Sequence, residues 1–355
     1  MILEALSNAS GVSGDEGEVR GLIRREIADH VDRLETDALG NLFSVKQTRR
    51  GERGPRVMVA AHMDEVGLMV VGHEERGQLR FRTVGGIDVR LLPAKTFLVG
   101  NEKRPGVVGM KPLHLLTPEA RKETVKLKDL FLDIGASTAE EAKRLAPVGS
   151  YAVFATTFER YGRTVIKGKA FDDRVGCAVL VEIAKAHQSI PVSLAFTVQE
   201  EVGLRGARVA AERLRPDIGI VIEGTAAADF PRRKDVGTTP RLGEGPTVTT
   251  MDRTVICDPG LVALIREIAE QEGIPLQTKR PMVGGTDGGR IAVAGGGARV
   301  AVISVPCRYL HGPASLASLH DIRHAAELVA LLLERLARPG WRQAVHRAGH
   351  RRSAR

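Results

Sequence analysis

The stretch VMVAAHMDEVG, residues 57–67, is a continuous apolar run that ends in an imidazole and two carboxylates. A run of this length and composition is typical of a buried β-strand. Three more apolar runs end shortly before side chains that can bind a metal ion: residues 192–198 before Glu200 and Glu201, 218–222 before Glu223, and 300–305 before His311. Ligands of α/β proteins gather beyond the carboxyl ends of their strands. The sequence therefore predicts an α/β fold with a ligand site at that edge of the sheet.

The composition is that of a globular chain of 355 residues, long enough for one large domain or two modest ones. Its hydrophobic content of 43% allows a substantial core, built mainly from aliphatic residues because aromatic residues make up only 4%. No apolar stretch predicts a membrane-spanning helix or a secretory signal. Three separated cysteines, Cys177, Cys257 and Cys307, are typical of buried thiols in a reducing compartment, so the expected location is cytoplasmic.

The net charge of +9 raises the question of nucleic-acid binding. Much of the excess lies near the C-terminus, where no acidic neighbour accompanies Arg342, Arg347, Arg351, Arg352 and Arg355. No aromatic-rich basic stretch of the kind that stacks on bases accompanies these arginines. We therefore interpret it as a solvent-exposed, frayed tail and do not expect a nucleic-acid partner.

Residues 68–163 differ in character from the segments on either side. Short apolar runs alternate there with Gly, Pro and charged residues, as at 79–84, 96–99, 106–109 and 151–155. Such runs are typical of a small β-barrel or sandwich. We predict an inserted small β-barrel domain, with one helix near residues 137–145. Residues 1–67 and 164–355 would together form a discontinuous catalytic domain.

Apolar residues at helical spacing predict the helices of the α/β part. Residues 6–31 are expected to be helical with an interruption at residues 10–14. Further helices are predicted at residues 174–187, 207–214, 259–272 and 320–336, and short strands at 34–37 and 42–46. These segments complete an alternation of helices and strands that is typical of α/β domains.

His62 is followed two positions later by Asp64. A lone histidine at a strand end is usually a core residue, but a metal-binding imidazole commonly needs a carboxylate on its other nitrogen. Residues i and i+2 of an extended segment lie on the same side, so Asp64 is placed to orient the His62 ring. We interpret the pair as a metal ligand and its orienting carboxylate.

Asp172 and Asp173 stand side by side at the start of a predicted helix. Adjacent aspartates in this position can simply cap the helix and interact with its dipole. In the functional interpretation, Asp172 bridges two metal ions, while Asp173 caps the helix and pairs with Arg174.

Glu200 and Glu201 follow an apolar strand, where two carboxylates risk burial without partners. Successive strand side chains point to opposite faces, so one glutamate can bind a metal ion while the other acts as a general base. A solvated pair at a strand end remains the alternative. Glu223 and His311 are individually just as compatible with a solvated carboxylate and an ordinary loop histidine. Together, these residues supply the five ligands that a two-metal site needs.

The motifs AHMDEVG, GKAFDDRVG, TVQEEVGLRGA, GGTDGG and VPCRYLHGP occur in this order along the chain. As a set they resemble the M42 family of metallo-aminopeptidases, which includes glutamyl aminopeptidases and TET-like enzymes. The resemblance extends from the N-terminal helix to about Leu336. It implies a mixed-sheet α/β/α two-metal exopeptidase domain, interrupted by a β-barrel domain that makes oligomer contacts. It also implies a homo-oligomer in which dimers assemble into a dodecamer.

The resemblance also assigns roles to individual residues. It implies one metal ion held by His62, Asp172 and Glu223, and a second held by Asp172, Glu201 and His311, with Asp172 bridging. Glu200 would be the catalytic base, and Asp64 would orient the His62 ring. Many family members have Asp where this chain has Glu223, and the extra methylene must be absorbed by a backbone shift or altered denticity.

The predicted reaction is hydrolysis of the N-terminal peptide bond of a peptide substrate. Two divalent metal ions per chain are expected, with zinc as the first choice and cobalt or manganese as alternatives. Glu200 would take a proton from water and give it to the leaving amine. A two-metal amide deacylase and a metal-free scaffold remain as alternatives. A glycosidase needs no metal-binding histidines, so the two imidazoles disfavour that function.

The loop GGTDGG, residues 284–289, lacks the Lys-Ser/Thr ending of a phosphate-binding loop, which excludes that kind of nucleotide site. It is either a wall of the substrate pocket or a flexible turn. Arg308 and Tyr309 either contact substrate or pack beneath the loop that carries His311.

Overall fold

The computed structural model describes residues 2–46, 54–186, 190–231, 240–280 and 284–350, with the backbone alone at 347, 349 and 350. The helices of these ranges are α1 Ile2–Asn8, α2 Gly17–Ile27, α3 Ala139–Leu145, α4 Phe171–Lys185, α5 Arg205–Leu214, α6 Pro259–Glu272, α7 Gly288–Ala292, α8 Leu319–Ala337 and α9 Trp341–His350. The strands are β1 Arg33–Thr36, β2 Leu42–Lys46, β3 Val57–His62, β4 Gly67–His73, β5 Leu79–Val84, β6 Thr96–Val99, β7 Arg104–Met110, β8 Leu130–Asp133, β9 Tyr151–Phe154, β10 Glu159–Tyr161, β11 Val165–Gly168, β12 Val192–Thr197, β13 Ile218–Ala226, β14 Thr247–Val248, β15 Gln277–Thr278, β16 Arg299–Arg308 and β17 Ser315–Ser318.

A large mixed sheet forms the centre of the α/β part. Its strand order is β1-β2-β12-β3-β13-β16-β17-β11-β10, and β14 and β15 attach beside β16. The pairs β12–β3, β3–β13 and β13–β16 are parallel, so their carboxyl ends share one edge. All six residues of β3 are buried, as a central strand covered on both faces requires. The predicted mixed α/β fold is confirmed.

Helices cover this sheet in two groups. Helix α4 packs on the central strands β3, β12, β13 and β16, and α1, α2 and α8 pack on α4. Helices α5 and α7 contact each other, and they pack on β12, β13 and β16. The resulting layers enclose an aliphatic core that runs from Leu3 in α1 to Leu336 in α8.

The strands between residues 67 and 154 close into a six-stranded antiparallel barrel in the order β4-β5-β8-β7-β6-β9. In β5, buried and exposed residues alternate at its start, which is the period that a barrel wall requires. The barrel has its own core, in which the rings of Phe97 and Phe154 lie 4.5 Å apart. The predicted barrel is confirmed, and the sandwich alternative is wrong because closure leaves no second sheet.

The C-terminal segment departs from prediction. Residues 341–350 form α9, which packs on α6 with Val345 and Ala348 buried. The approach is close, since a Cβ at Gly260 would lie 2.3 Å from the Val345 carbonyl oxygen. Trp341, Val345 and Ala348 recur at helical spacing, which explains why the segment folds onto the core. The frayed-tail interpretation is wrong for these residues, while Arg351, Arg352 and Arg355 lie outside the described ranges, as does His187 at the end of a predicted helix.

Within the described ranges, no helix is both long and apolar enough to cross a membrane.

Candidate metal centre

The carboxyl edge of the central strands brings together residues that are far apart in sequence. His62 is the last residue of β3, and Glu200 and Glu201 follow β12 by three and four positions. Glu223 lies inside β13, opposite Ser304 of β16. Asp172 lies at the start of α4, and His311 follows β16. The structure thus places every predicted ligand at one edge of the sheet.

The first half of the site is formed by His62, Asp172 and Glu223. The His62 Nε2 atom lies 3.3 Å from Asp172 Oδ1 and 3.2 Å from Glu223 Oε1. Glu223 Oε2 is buried and has no hydrogen-bond partner in the described structure. Since a buried carboxylate oxygen without a partner is costly, this atom fits a metal ion as its missing partner.

The second half of the site is formed by Asp172, Glu201 and His311. The His311 Nε2 atom lies 3.4 Å from Asp172 Oδ2 and 3.1 Å from Glu201 Oε1, and ligand atoms of the three residues lie within 4.8 Å of one another. The two carboxylate oxygens of Asp172 therefore face different imidazoles. Two imidazoles and three carboxylates are a donor set that suits borderline divalent cations.

The protonation of His311 reports the excess of negative charge in this pocket. Burial alone would lower its pKa, yet the carboxyl groups of Asp172 and Glu201 raise the pKa to about 11. The pKa of His62 is likewise raised well above its usual value, against the effect of burial, by Glu223, Asp172 and Asp64. The site draws positive charge to the places where cations would bind, so the residues fit a metal centre.

Asp64 makes further contacts besides the predicted one with the His62 ring. The nearest acceptor to His62 Nδ1 is the backbone oxygen of Asp64 at 3.1 Å, and the Asp64 carboxylate lies at 3.4 Å. That carboxylate accepts hydrogen bonds from the Ser13 hydroxyl at 2.6 Å and from the backbone N–H groups of Glu200 and Glu201 at 3.0 and 3.1 Å. Asp64 thus fixes the backbone of both glutamates, a contact that sequence reasoning missed together with Ser13.

Asp173 and Arg174 do not pair with each other, so that prediction is wrong. Asp173 accepts hydrogen bonds from the backbone N–H groups of His62 at 3.2 Å and Gly176 at 3.0 Å. Arg174 turns away to Glu65, whose Oε1 atom lies 3.0 Å from Nη2. Asp173 has non-helical backbone angles.

Glu65, Lys169 and Arg174 form a buried cluster of ion pairs next to the residues that precede and follow the candidate ligands His62 and Asp172. Lys169 Nζ lies 2.6 Å from Glu65 Oε1 and donates to the backbone oxygen of Ala9, also at 2.6 Å. The Arg174 Nε atom donates to the Met63 backbone oxygen at 2.9 Å. The cluster holds the segment after β3 against the start of α4. Sequence analysis did not single out Glu65 and Lys169, although both lie inside the quoted motifs.

Gly224 permits the close packing of the candidate ligands, and the backbone of Gly86 contacts one of them. A Cβ at Gly224 would lie 3.0 Å from the Asp172 Cα atom, so a larger residue after Glu223 would press on Asp172. Gly86 accepts a hydrogen bond from His311 Nδ1 at 2.9 Å through its backbone oxygen. Gly86 belongs to the inserted segment, which therefore orients one of the imidazoles.

Glu200 is 9% exposed and lines the cleft beside the ligands. Burial raises its pKa well above the usual value, and Glu223, Asp287 and Glu201 reinforce the shift against the opposing effect of His62. A carboxyl group with a raised pKa can both accept and return a proton near neutral pH.

A cleft of about 1130 Å³ opens next to these residues. Gly284, Gly285 and Thr286 form part of its lining, so the GGTDGG loop is a wall of the cleft. The loop is held by Asp252, which accepts a hydrogen bond from the Thr286 hydroxyl at 3.0 Å, and by Thr254. These bonds and the position of the loop favour the wall interpretation over the flexible turn.

Arg308 forms two hydrogen bonds with Asp229 at 2.8 and 2.7 Å, and Tyr309 is 61% exposed. Asp229 thus fixes the Arg308 guanidinium group.

Buried carboxylates and two imidazoles at the carboxyl edge of a mixed α/β sheet define the class of metal-dependent hydrolases. Within that class, the sequence of this chain matches one family. The chain belongs to the M42 glutamyl aminopeptidase family, which it matches over residues 40–328. It is accordingly an aminopeptidase, a hydrolase that removes N-terminal residues from peptides.

Individual proteins support this assignment. The chain is 34% identical over 344 residues to the lysyl aminopeptidase of Pyrococcus furiosus, covering 94% of this chain and 96% of that protein. The TET aminopeptidase of the marine sediment archaeon Thaumarchaeota archaeon SCGC AB-539-E09 superimposes with a TM-score of 0.91 at 34% identity, covering 98% of each chain. The TET1 peptidase of Pyrococcus horikoshii, which can assemble into a tetrahedron or a large octahedral shell, gives a TM-score of 0.82 at 35% identity, covering 93% of this chain and 98% of that one.

Proposed function

We propose that the chain holds two divalent cations, one on His62, Asp172 and Glu223 and the other on Asp172, Glu201 and His311. The observation that carries this proposal is the position of Asp172, whose two oxygens face the two imidazoles at 3.3 and 3.4 Å. Zinc is the expected ion because the donor set mixes imidazole with carboxylate, and cobalt and manganese accept the same ligands. The longer Glu223 reaches the first half of the site from inside β13.

When bound, such ions act as Lewis acids on the peptide carbonyl and lower the pKa of water. Glu200 is the general base in this proposal, because it lines the cleft and burial raises its pKa, which makes its carboxylate a stronger base. It removes a proton from the attacking water and returns it to the leaving amine. Asp64 supports this step by holding the Glu200 backbone N–H at 3.0 Å.

The free α-amine of the substrate is attracted to the same group of carboxylates. Glu200, Glu201 and Glu223 all line the cleft, so a positively charged amine is stabilised at that end. An internal peptide bond offers no such amine, which restricts cleavage to the N-terminal residue.

Positive charge elsewhere in the cleft favours substrates whose N-terminal residue is acidic. Four cationic side chains line it, and none has a carboxylate partner in the described part of the chain: Arg253, Lys279, Arg280 and Arg290. Lys279 is only 8% exposed, so its ammonium group is little screened by water. A lysyl substrate, as in the name of the Pyrococcus furiosus relative, would be repelled here.

Hydrolysis of a panel of aminoacyl-p-nitroanilides by metal-free protein, with and without zinc, cobalt or manganese, tests the activity. We expect metal-dependent release that vanishes in Glu200→Gln while two ions per chain stay bound. Cleavage of N-acyl substrates alone would instead establish the deacylase, and the absence of bound metal would indicate a scaffold.

The same panel tests the side-chain preference. We expect a higher kcat/KM for glutamyl than for leucyl or lysyl substrates. Lys279→Met should lower the glutamyl value roughly tenfold while the leucyl value changes little, and Lys279→Arg should retain the preference. A preference for lysyl substrates would contradict this proposal.

We further propose that residues 68–163 form the oligomer contacts of a homo-oligomer, with 1–67 and 164–355 as the catalytic domain. Exposed apolar residues of the insert support this role, among them Leu113 at 61% and Leu115 at 57% exposure. Assembly of dimers into a dodecamer would parallel the shells of the TET1 peptidase. Mass photometry of wild type and Leu113→Asp tests the proposal, since a monomeric wild type would contradict it.

A cytoplasmic location is proposed because Cys177, Cys257 and Cys307 are buried free thiols. Fractionation of the native host tests this location, and recovery of the protein outside the cytoplasm would contradict it.

A further inference from the structure

Asp287 of the GGTDGG loop has no part in the proposed reaction, although it is 1% exposed. It stands at the N-cap of α7, yet its side chain makes no hydrogen bond to that helix. Its Oδ2 atom instead lies 2.5 Å from the Thr197 hydroxyl of β12, and its Oδ1 atom is buried without a partner in the described structure. A capping residue that turns from its own helix to another element indicates a different role.

The loop before Asp287 is a rigid wall of the cleft. Thr286 donates from its backbone N–H to the Thr254 hydroxyl at 3.0 Å. A Cβ at Gly285 or at Gly289 would lie 2.5 Å from Thr254, so the loop packs on this threonine without spare room. A movement of the wall would therefore be transmitted through Asp287.

Thr197 is the last residue of β12 and lies beside His62 in the sheet register, three positions before Glu200. Its backbone oxygen accepts a hydrogen bond from the Met63 N–H at 2.7 Å, and its hydroxyl lies 3.2 Å from the Ala61 oxygen. The contact with Asp287 thus joins the substrate wall to the strand that carries the general base.

In the described part of the chain, the buried Asp287 carboxyl group has one hydrogen-bond partner, the Thr197 hydroxyl. Burial raises its pKa to about 6, and the neighbouring Asp64 adds to the shift against the effect of His62. A carboxylate here would have one neutral hydroxyl for a partner, which does not compensate a buried charge.

We propose that Asp287 is a positioning residue, which holds the cleft wall against Thr197 and so sets the place of Glu200 relative to the bound peptide. The proposal rests on the proposed role of Glu200. Asp287 acts through its hydrogen bond to Thr197. A side-chain amide at position 287 should therefore preserve the function of the carboxyl group, and an apolar side chain should not.

Metal-loaded, full-length Asp287→Asn and Asp287→Leu have side chains of similar size and test this directly. Asparagine should keep kcat within about threefold of wild type, whereas leucine should lower kcat roughly 10- to 100-fold at nearly constant KM, as expected of a misplaced base. Thr197→Val should reproduce the leucine effect, Thr197→Ser should not, and Asp287→Leu combined with Thr197→Val should add little.

Amide hydrogen exchange of residues 196–201 supplies a readout that needs no activity. Exchange should accelerate in Asp287→Leu and Thr197→Val but not in Asp287→Asn, whether or not the wild type proves to be an aminopeptidase. An equal loss of kcat in the asparagine and leucine variants would show that the hydrogen bond to Thr197 does not carry the effect and would overturn the proposal. If Asp287→Leu has the same kinetics and the same amide exchange as the wild type, the proposal is also wrong. If Asp287→Leu does not fold, the same comparison is made with Thr197→Val.

Discussion

Replacement of Asp64 separates two ways in which this residue can serve the site. If its carboxylate mainly orients His62, Asp64→Ala should weaken metal binding 10- to 100-fold, as the loss of an outer partner does at other metal sites. The structure predicts another outcome, because the nearest acceptor to His62 Nδ1 is a backbone oxygen at 3.1 Å that the substitution leaves in place. The carboxylate instead holds the backbone N–H groups of Glu200 and Glu201.

The size of the effect follows from the three hydrogen bonds that this fully buried carboxylate accepts at 2.6, 3.0 and 3.1 Å. A hydrogen bond to a charged group contributes about 1.5–3 kcal/mol, and bonds that share one acceptor are not additive. We therefore expect Asp64→Ala to lower the free energy of unfolding by roughly 3–5 kcal/mol. Freed from its anchor, Glu200 shifts relative to the substrate, and a displacement of about 1 Å costs on the order of 100-fold in kcat.

The assay combines urea unfolding at fixed protomer concentration, elemental analysis of bound metal and steady-state kinetics. Two ions should stay bound to Asp64→Ala while stability and kcat fall. Ser13→Ala is the matched control, because it removes one of the three hydrogen bonds and should cost only about 1–2 kcal/mol. Loss of metal with little change in stability would refute this reasoning and return Asp64 to the role of orienting His62.

Three further predictions concern Asp172, a buried lysine and the C-terminal helix. Asp172→Ala should lose both metal ions by elemental analysis, and retention of two ions per chain would contradict the bridging role. Burial lowers the pKa of Lys169 from 10.5 to about 8. Between these two pH values the unfolded chain keeps the Lys169 proton while the folded chain loses it. The free energy of unfolding of the wild type should therefore rise with pH across this range. Measured against Lys169→Met by urea unfolding, the gain should reach up to about 3 kcal/mol, and a flat difference would refute the shift. Val345→Ala should lower the free energy of unfolding by about 1–2 kcal/mol in the same assay, because Val345 is 1% exposed. Arg342 is exposed, so Arg342→Ala should lower it little. Equal losses in the two variants would show that α9 does not pack on the core.

The strands and most helices followed from the sequence because local patterns specify them. The apolar run before His62 became β3 with its bounds as predicted, and residues 259–272 became α6. The inserted barrel was recognisable from its short, punctuated runs. The C-terminal helix was missed since its apolar stripe of Trp341, Val345 and Ala348 is narrow and is surrounded by arginines. In that segment charge density was the misleading signal.

The candidate ligands also followed from the sequence, because carboxylates and imidazoles at the ends of apolar strands are costly unless they bind something. Their partners did not follow. Asp64 finds the N–H groups of Glu200 and Glu201 across more than 130 positions of sequence, and His311 finds Gly86 in the inserted segment. Such contacts depend on which strands lie side by side.

The sequence by itself determined the strand ends, the residue types of the site and the separation into a barrel and an α/β part. The tertiary structure alone decided that both oxygens of Asp172 face imidazoles, and that Asp287 reaches Thr197 instead of capping its own helix. The physical reason is that strand ends are set by neighbouring residues along the chain. Hydrogen bonds between distant side chains depend on the order and register of the strands in the sheet. Strand order and register in turn depend on how residues from the whole chain pack in the core.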